Sequence, residues 1–147
     1  MDFIEIKTQQ DLEQAYEILK ELAPELDKTD FFESLNHELS QNHKLFGLTS
    51  SGKLISVAAV WLLMTGLLKK ILWINAFVTT AGMRSKGFGE KLLQALEAYA
   101  RSQKINEIRV HAHRERAIVF WEKKAKFEIF SNVLTKKIDE KDPIARA

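Results

Sequence analysis

The stretch FVTTAGMRSKGFGEKLLQALEAYA, residues 77–100, contains the features that decide the fold. An apolar run ends at Thr79 and a short loop follows. Two glycines and two cations then stand within RSKGFG, residues 84–89, where a helical pattern begins. A helix start exposes backbone N–H groups and a partial positive charge, which favour an anion, and glycine lets a phosphate approach closely. The pattern predicts a site for pyrophosphate or a similar polyanion; the alternative is that the glycines serve only a tight turn and close packing.

The loop differs from two other phosphate-binding motifs. No Gly-Lys-Ser/Thr sequence ends it, as a nucleoside-triphosphate loop requires. The glycine pair is not followed by a third glycine, and no acid ends a following strand at the distance that a dinucleotide-binding fingerprint needs. The anion is instead expected at the carboxyl end of the preceding strand, where open α/β sheets bind ligands.

Outward from this loop, apolar periodicity predicts alternating strands and helices. Strands are predicted at 2–7, at 43–63 as a hairpin about Ser50-Ser51-Gly52, and at 69–80, 106–113 and 127–138; helices are predicted at 11–22 with Asp11 as cap, at 28–41, in the quoted stretch and at 114–125. A strand, helix and strand over residues 70–113 predict a parallel crossover, and the hairpin predicts antiparallel pairs. The chain is therefore predicted to be an α/β protein. Its mixed, mostly antiparallel sheet of six to seven strands has helices on both faces.

Length and composition limit the possible functions. The 147 residues predict one domain, and the absence of cysteine excludes disulfides, thiolate metal sites and a cysteine nucleophile. The first residues lack a signal-peptide pattern, and the longest apolar run, residues 57–68, is shorter than the ~20 residues of a membrane-spanning helix. A net charge of +2 gives no argument for nucleic acid. We expect a cytoplasmic protein without a metal site that binds neither membrane nor nucleic acid.

Three segments in order resemble the GCN5-related N-acetyltransferase (GNAT) family. Residues 84–89 fill every position of the family's loop, Arg/Gln-x-x-Gly-x-Gly/Ala. INEIRVHAH, residues 105–113, resembles the strand that follows it. RERAIVFWEKKAKFEIF, residues 114–130, resembles the family's next helix and its ending, although the glycine expected before Phe127 is missing. The likeness is close from about Leu72 to Ile138 and rests on element order over the first 70 residues.

The resemblance implies a single domain over residues 1–147 with the acyl-CoA N-acyltransferase fold. Its acceptor-side helices are expected at about 10–42 and its acetyl-CoA-binding core at about 70–138, in a cleft where two parallel strands splay apart. The implied cofactor residues are Phe77, Val78 and Thr79 for the pantetheine arm, Arg84, Ser85, Lys86, Gly87, Phe88 and Gly89 for the pyrophosphate, and Arg114, Ala117 and Phe120 on the opposite wall. An acceptor amine would attack the thioester directly, and a backbone N–H of the splayed strand would stabilise the oxyanion.

Two further positions depart from the family pattern. Many relatives place a glutamate on the strand before the loop, where this chain has Asn75. Since deprotonating an alkylamine at neutral pH costs roughly 4 kcal/mol, we name His111, ahead of His113, as the candidate base. The alternative is that both histidines are polar residues on a partly covered strand face. Trp121 stands where relatives have a tyrosine acid, and indole N–H is no useful acid; it is interpreted as an aromatic wall.

The charge of the chain is unevenly distributed. Between Asp11 and His43, nine acids face two lysines, giving −7 and leaving +9 for the rest. These acids lie where the family builds its acceptor site, so they favour a cationic acceptor; the alternative is that they are solvated helix faces. Four aromatic residues are expected to line either the acceptor pocket or the core: Phe31, Phe32, Trp61 and Trp73.

These features together predict an acetyl-CoA-dependent N-acetyltransferase acting on a small or peptide amine. One alternative is a non-catalytic acyl-CoA-binding or sensing domain, suggested by the missing tyrosine and glutamate. Another is a protein-interaction module that uses the acidic helices. The oligomeric state is open, with a homodimer among the options.

Overall fold

The computed structural model describes residues 1–38, 42–64, 66–67, 69–112 and 114–138. Within them, the strands are β1 (Asp2–Glu5), β2 (His43–Ser50), β3 (Lys53–Met64), β4 (Lys70–Thr79) and β5 (Ile108–Val110). The helices are α1 (Gln9–Leu22), α2 (Lys28–Glu38), α3 (Phe88–Ser102) and α4 (Glu115–Val119), with a 3-10 turn at Ala81–Met83 and a π-helical turn at Phe120–Lys124. The chain is thus a mixed α/β protein, as predicted.

The strands form one sheet in the order β1-β2-β3-β4-β5. The first four pair antiparallel, and β4 and β5 pair parallel. The parallel crossover expected between residues 70 and 113 is therefore present, with α3 as its helix. The hairpin about Ser51 and Gly52 is also present, and the positive φ angles of these two residues, 52° and 77°, suit a tight two-residue connection.

Helices cover both faces of the sheet, as the sequence predicts. Strand β3 shows why, since its side chains alternate between two cores. Val57 and Ala59 join the buried cluster formed with α1 and α2. Ala58 and Val60 join the cluster formed with α3, in which Leu92, Leu93, Leu96 and Ala100 are buried and Tyr99 is partly buried.

The sequence prediction was wrong at two places. Thr8, not Asp11, is the N-cap of α1, because its hydroxyl oxygen accepts a hydrogen bond from the Asp11 N–H at 3.1 Å. The strand predicted at 127–138 does not form, so the described part of the chain has five strands rather than six or seven. A strand needs a partner edge, and β5 is only three residues long. Phe127 packs against the core, and from Ile129 onward the apolar side chains of this segment are exposed, Leu134 at 92%.

Gly47 in β2 lies where neighbouring atoms leave no room for a side chain. A Cβ at this position would lie 2.8 Å from the Ser56 carbonyl oxygen and 2.5 Å from Leu54 Cδ1. We expect Gly47→Ala to lower the free energy of unfolding by about 1–3 kcal/mol, because the backbone oxygen cannot simply rotate away. Gly82→Ala is the control, since a Cβ there meets nothing within 4 Å. Denaturant midpoints measure both, and an equal midpoint for the two variants would contradict the prediction.

Candidate functional site

The parallel strands separate at a defined point. Their register includes only Leu72 with Ile108, Trp73 with Arg109 and Ile74 with Val110. Strand β4 then continues to Thr79, whereas β5 ends at Val110. The two strands therefore part at residues 75 and 111, and among the described residues the second half of β4 pairs with no strand on that side, which is where the resemblance places the cleft.

A bulge in β4 coincides with this separation. Ala59 of β3 pairs with Ala76, but Val60 pairs with Ile74, so Asn75 is an extra residue. A bulge bends its strand and redirects the neighbouring side chain. The side-chain nitrogen Nδ2 of Asn75 is buried and has no hydrogen-bond partner within the described ranges. A buried donor normally has a partner, so this amide is available to a ligand oxygen.

A cavity of about 580 Å³ lies beside the bulge, between the sheet and helices α1 and α2. Twelve of its seventeen lining residues are apolar, counting Trp61, Trp73 and Phe31. The polar ones are Asp30, Ser34, His43, Asn75 and His111. Of the four aromatic residues considered from the sequence, three therefore line this cavity. Phe32 does not, and instead packs against the core on the same face.

The two tryptophans are cross-strand neighbours. Trp61 pairs with Trp73 on one side and with His43 on the other, so three aromatic rings follow one row across β2, β3 and β4. The His43 and Trp61 rings meet edge to face, with centroids 6.0 Å apart. Trp61 is 43% exposed, which is unusual for the largest apolar side chain. The row forms part of the sheet side of the cavity.

His111 also lines the cavity, at the end of β5 where the strands part. Ile108, Val110 and Ala112 pack against the core on the opposite side of the sheet. The predicted division of this strand into two faces is therefore confirmed for the described residues. His113, the second candidate base, lies outside them.

The loop of residues 84–89 has the backbone that the glycines suggest. Ser85 and Gly87 both have positive φ, at 61° and 83°, and Gly87 is the N-cap of α3 without a side-chain cap bond in the described structure. A Cβ at Gly89 would lie 3.5 Å from the Phe120 ring and 3.6 Å from the Phe77 ring. Gly89 thus lies close to both Phe77 of β4 and Phe120 at the start of the π-helical turn. Lys86 is exposed.

Glu21, in the last turn of α1, holds the start of this loop. Its carboxylate accepts hydrogen bonds from the Thr80 hydroxyl at 2.7 Å and from the Ala81 N–H at 2.8 Å. It also pairs with the Arg84 guanidinium at 3.4 Å, and Arg84 Nε donates to the Thr79 carbonyl at 2.9 Å. The Arg84 guanidinium therefore already contacts Thr79 and Glu21. The backbone N–H of Arg84 is one of the loop N–H groups that the resemblance assigns to the pyrophosphate. The sequence gives no local signal for Glu21, which is one of nine acids in its region.

The end of α1 also contacts Arg114, which the resemblance places on the opposite wall of the cleft. Arg114, just before α4, donates from Nη2 to the Leu22 carbonyl at 3.0 Å. Leu22 itself lines the acceptor-side cavity. The last turn of α1 therefore joins the cavity, the loop and the start of α4.

Trp121 does not line the described cavity. It is 4% exposed and packs edge to face against Phe77, Phe120 and Phe127, with centroids 4.9 to 5.0 Å apart. This position agrees with the interpretation of Trp121 as an aromatic wall. Among the described residues, no group of acidic or histidine side chains could hold a metal ion, and none of the helices is long and apolar enough to cross a membrane.

Glu21 gives a direct test of the loop's support. Glu21→Ala removes the charged carboxylate that accepts hydrogen bonds from Thr80 and Ala81 and pairs with Arg84. We expect acetyl-CoA to bind about tenfold more weakly, since such contacts contribute about 1.5–3 kcal/mol and part of this free energy orders the loop. Glu17→Ala is the matched control, because it removes one exposed carboxylate from the same helix. Equal calorimetric dissociation constants for the two variants would show that Glu21 does not support the loop.

Comparison with known proteins gives a consistent result. The sequence model of the acetyltransferase (GNAT) family matches residues 12–127. A GNAT family acetyltransferase from Staphylococcus aureus is 19% identical over 94% of this chain and 100% of that chain, with a TM-score of 0.77. The ribosomal-protein-alanine N-acetyltransferase from Brucella melitensis is 16% identical over 93% of this chain and 100% of that chain, with a TM-score of 0.77.

A third solved structure contains a ligand. It is AAC(6')-Iy in complex with the bisubstrate analog CoA-S-monomethyl-acetylneamine, 15% identical over 94% of this chain and 97% of that chain, with a TM-score of 0.77. At these identities the solved structures show a shared fold alone. No curated protein sequence matches the chain.

Proposed function

The chain belongs to the GNAT acetyltransferase family, and from this premise we propose that it transfers the acetyl group of acetyl-CoA to a primary amine. The observation that carries the proposal is the parting of β4 and β5 at Asn75 and His111. The parting lies between a loop suited to phosphates and a cavity suited to a small molecule. An acetyltransferase needs the donor site and the acceptor site to adjoin where the acetyl group is transferred.

The residues of the cleft fit acetyl-CoA as the donor. The uncapped start of α3 offers backbone N–H groups to the pyrophosphate, and the exposed Lys86 adds positive charge. The edge of β4 from Phe77 to Thr79, with no strand paired to it on the β5 side among the described residues, offers backbone groups to the pantetheine arm. On the other wall, Ala117 and Phe120 pack against the α3 side of the sheet. The bisubstrate analog bound to AAC(6')-Iy is a CoA conjugate, which supports this choice of donor.

The proposed reaction is direct transfer. The amine nitrogen attacks the thioester carbonyl, a carbon–nitrogen bond forms, and the carbon–sulfur bond breaks as the tetrahedral intermediate collapses. His111 accepts the proton that the amine nitrogen loses. The thiolate of CoA takes a proton from solvent, since Trp121 is no acid. An N–H group at the β4 bulge stabilises the oxyanion.

The acceptor is an amine, and its finer identity is part of the proposal. Either a small molecule or a peptide amine suits the family, and the acidic stretch favours a cationic one. Of that stretch, Asp30 is the only described acid in the cavity wall. The cytoplasmic location, the homodimer option and the division into acceptor-side helices and acetyl-CoA-binding core stay predictions.

A second candidate is an acyl-CoA-binding or sensing domain without turnover. The buried Trp121 favours it, because the side chain expected to protonate the leaving thiolate is absent from that position. Such a domain would bind acetyl-CoA and release no thiol when amines are added.

One experiment separates these functions. The protein is incubated with acetyl-CoA and a panel of amines, and free thiol is measured with and without each amine. We expect release that depends on the amine and saturates with its concentration. Calorimetric binding of acetyl-CoA without amine-dependent release would favour the sensing domain, and neither binding nor release would overturn both functions.

A further inference from the structure

We infer that the acceptor is a small amine with one positive charge and a flat aromatic body. This inference rests on the proposed function and specifies the substrate class of the same site. Its basis is the wall of the cavity, which brings two indole rings and a single carboxylate together.

The sheet side of the cavity is suited to an aromatic ring. Trp61 and Trp73 are directly paired on neighbouring strands, and Phe31 of α2 faces the same space. Trp61 keeps 43% of its surface exposed, so a bound ring could cover apolar area that the protein leaves open. Aromatic rings gain from offset or edge-to-face contacts beyond the burial of area. The volume of about 580 Å³ falls within the usual range for small-molecule sites.

The charge of the cavity limits the acceptor to one ammonium group. Asp30 is its single lining carboxylate, and the residue lies exposed in the first turn of α2. The Asp30 N–H donates to Asp27 Oδ1 at 3.0 Å, which fixes this turn. None of the salt bridges among the described residues involves Asp30. It can therefore attract the one ammonium group of an incoming acceptor, which then gives up its proton at the polar end of the cavity.

A second charge would have no partner in this wall. The remaining polar lining residues, Ser34, His43, Asn75 and His111, carry no formal negative charge. Burying an unpaired ammonium costs far more than burying a methylene group gains. Polyamines and amino sugars with several ammonium groups are therefore poor acceptors. This conclusion narrows the expectation drawn from the whole acidic stretch, whose other described members lie outside the cavity wall.

The polar end of the cavity orients the amine. The Asn75 side-chain nitrogen, which has no hydrogen-bond partner in the part of the chain that the structure describes, lies where β4 and β5 part, beside His111. It can donate to the oxygen of the acetyl group, and so hold the carbonyl carbon near the amine while the aromatic body rests on the tryptophans. An acceptor thus needs a short linker between its ring and its nitrogen.

The test compares four amines as acceptors: phenethylamine, butylamine, spermidine and a short peptide with a free N-terminus. We expect kcat/KM for phenethylamine to exceed that for butylamine by about tenfold, since both carry one ammonium group and differ in the ring. Trp61→Leu should reduce this ratio to about threefold or less and leave the dissociation constant of acetyl-CoA unchanged. A higher kcat/KM for spermidine or the peptide, or an unchanged ratio in Trp61→Leu, would overturn the inference.

The charge is tested separately. Asp30→Asn should lower kcat/KM for phenethylamine about threefold to tenfold and weaken its dependence on salt, because one ion pair is lost. Glu33→Gln, which removes an exposed acid of the same helix outside the cavity wall, should change neither. Equal effects of the two variants would show that Asp30 has no specific role.

Failure of the proposed function would be visible as a separate result. If no amine releases thiol, the proposal of acetyl transfer is wrong. Calorimetric binding of phenethylamine and of butylamine to the same protein then tests whether the cavity prefers an aromatic amine. Preferential binding of phenethylamine that Trp61→Leu removes would support an aromatic-amine site. Equal binding of the two amines would overturn it.

Discussion

Replacing His111 by alanine is expected to lower kcat by about 100-fold or more, the smallest loss usual for a general base. The residue lines the cavity at the point where β4 and β5 part, which is where the incoming amine is proposed to bind. The base must be neutral to accept a proton, so the wild-type rate should rise with pH, with an inflection where His111 loses its proton. His111→Ala should lose that inflection and keep the dissociation constant of acetyl-CoA.

Trp121→Phe is the companion variant. Trp121 is buried among Phe77, Phe120 and Phe127, so phenylalanine keeps the aromatic wall and removes only the indole N–H. We expect the pH profile to be unchanged and the effect to fall mainly on the Michaelis constants. Near-normal turnover in His111→Ala would show that the histidine is structural. A collapse of kcat in Trp121→Phe would show that the indole N–H takes part in the chemical step.

Replacing Gly87 by aspartate is expected to weaken acetyl-CoA binding by well over tenfold. Gly87 precedes α3 directly, and a carboxylate there would stand among the N–H groups proposed to bind the pyrophosphate. A Cβ at Gly87 meets no atom within 4 Å, so the fold should tolerate the side chain. The remaining cost is its φ of 83°, which L-residues other than Asn and Asp adopt poorly.

Gly87→Asn is the matched control for that cost. Asparagine has nearly the same shape as aspartate and a similar tolerance of positive φ, but no charge. Calorimetry should give a modest loss of affinity for Gly87→Asn and a further large loss for Gly87→Asp, which high salt partly restores. Equal affinities of the two variants would show that no phosphate lies close to Gly87.

The sequence predicted the elements whose signals are local. The apolar stripe of α3, the glycine-containing turn between β2 and β3 and the alternation of β5 each depend on residues close together in the chain. They appear in the structure as the buried Leu92 and Leu96, the positive φ of Gly52 and the two faces about Val110. The order of these elements then predicted the parallel pair, since a strand, helix and strand leave few other arrangements.

The features that define the candidate site were less predictable, because they depend on contacts between distant residues. The extra residue Asn75 is recognised only from the register of β4 against β3. Glu21 contacts Thr80 and Ala81 across 59 and 60 residues, and nothing in its own surroundings separates it from neighbouring acids. Residues 127–138 failed as a strand for the same reason, since an apolar pattern cannot show whether a partner edge is long enough.

The most direct test of acetyl transfer is a measurement of both products in one reaction. Phenethylamine and acetyl-CoA are mixed with the protein, free CoA is measured as thiol, and the acetylated amine is quantified by mass spectrometry. Transfer predicts one acetylated amine for each thiol released, with both products falling together in His111→Ala. Thiol release without an acetylated amine would mean hydrolysis, and acetyl-CoA that binds but yields neither product would mean a binding domain; either result would contradict acetyl transfer to the amine.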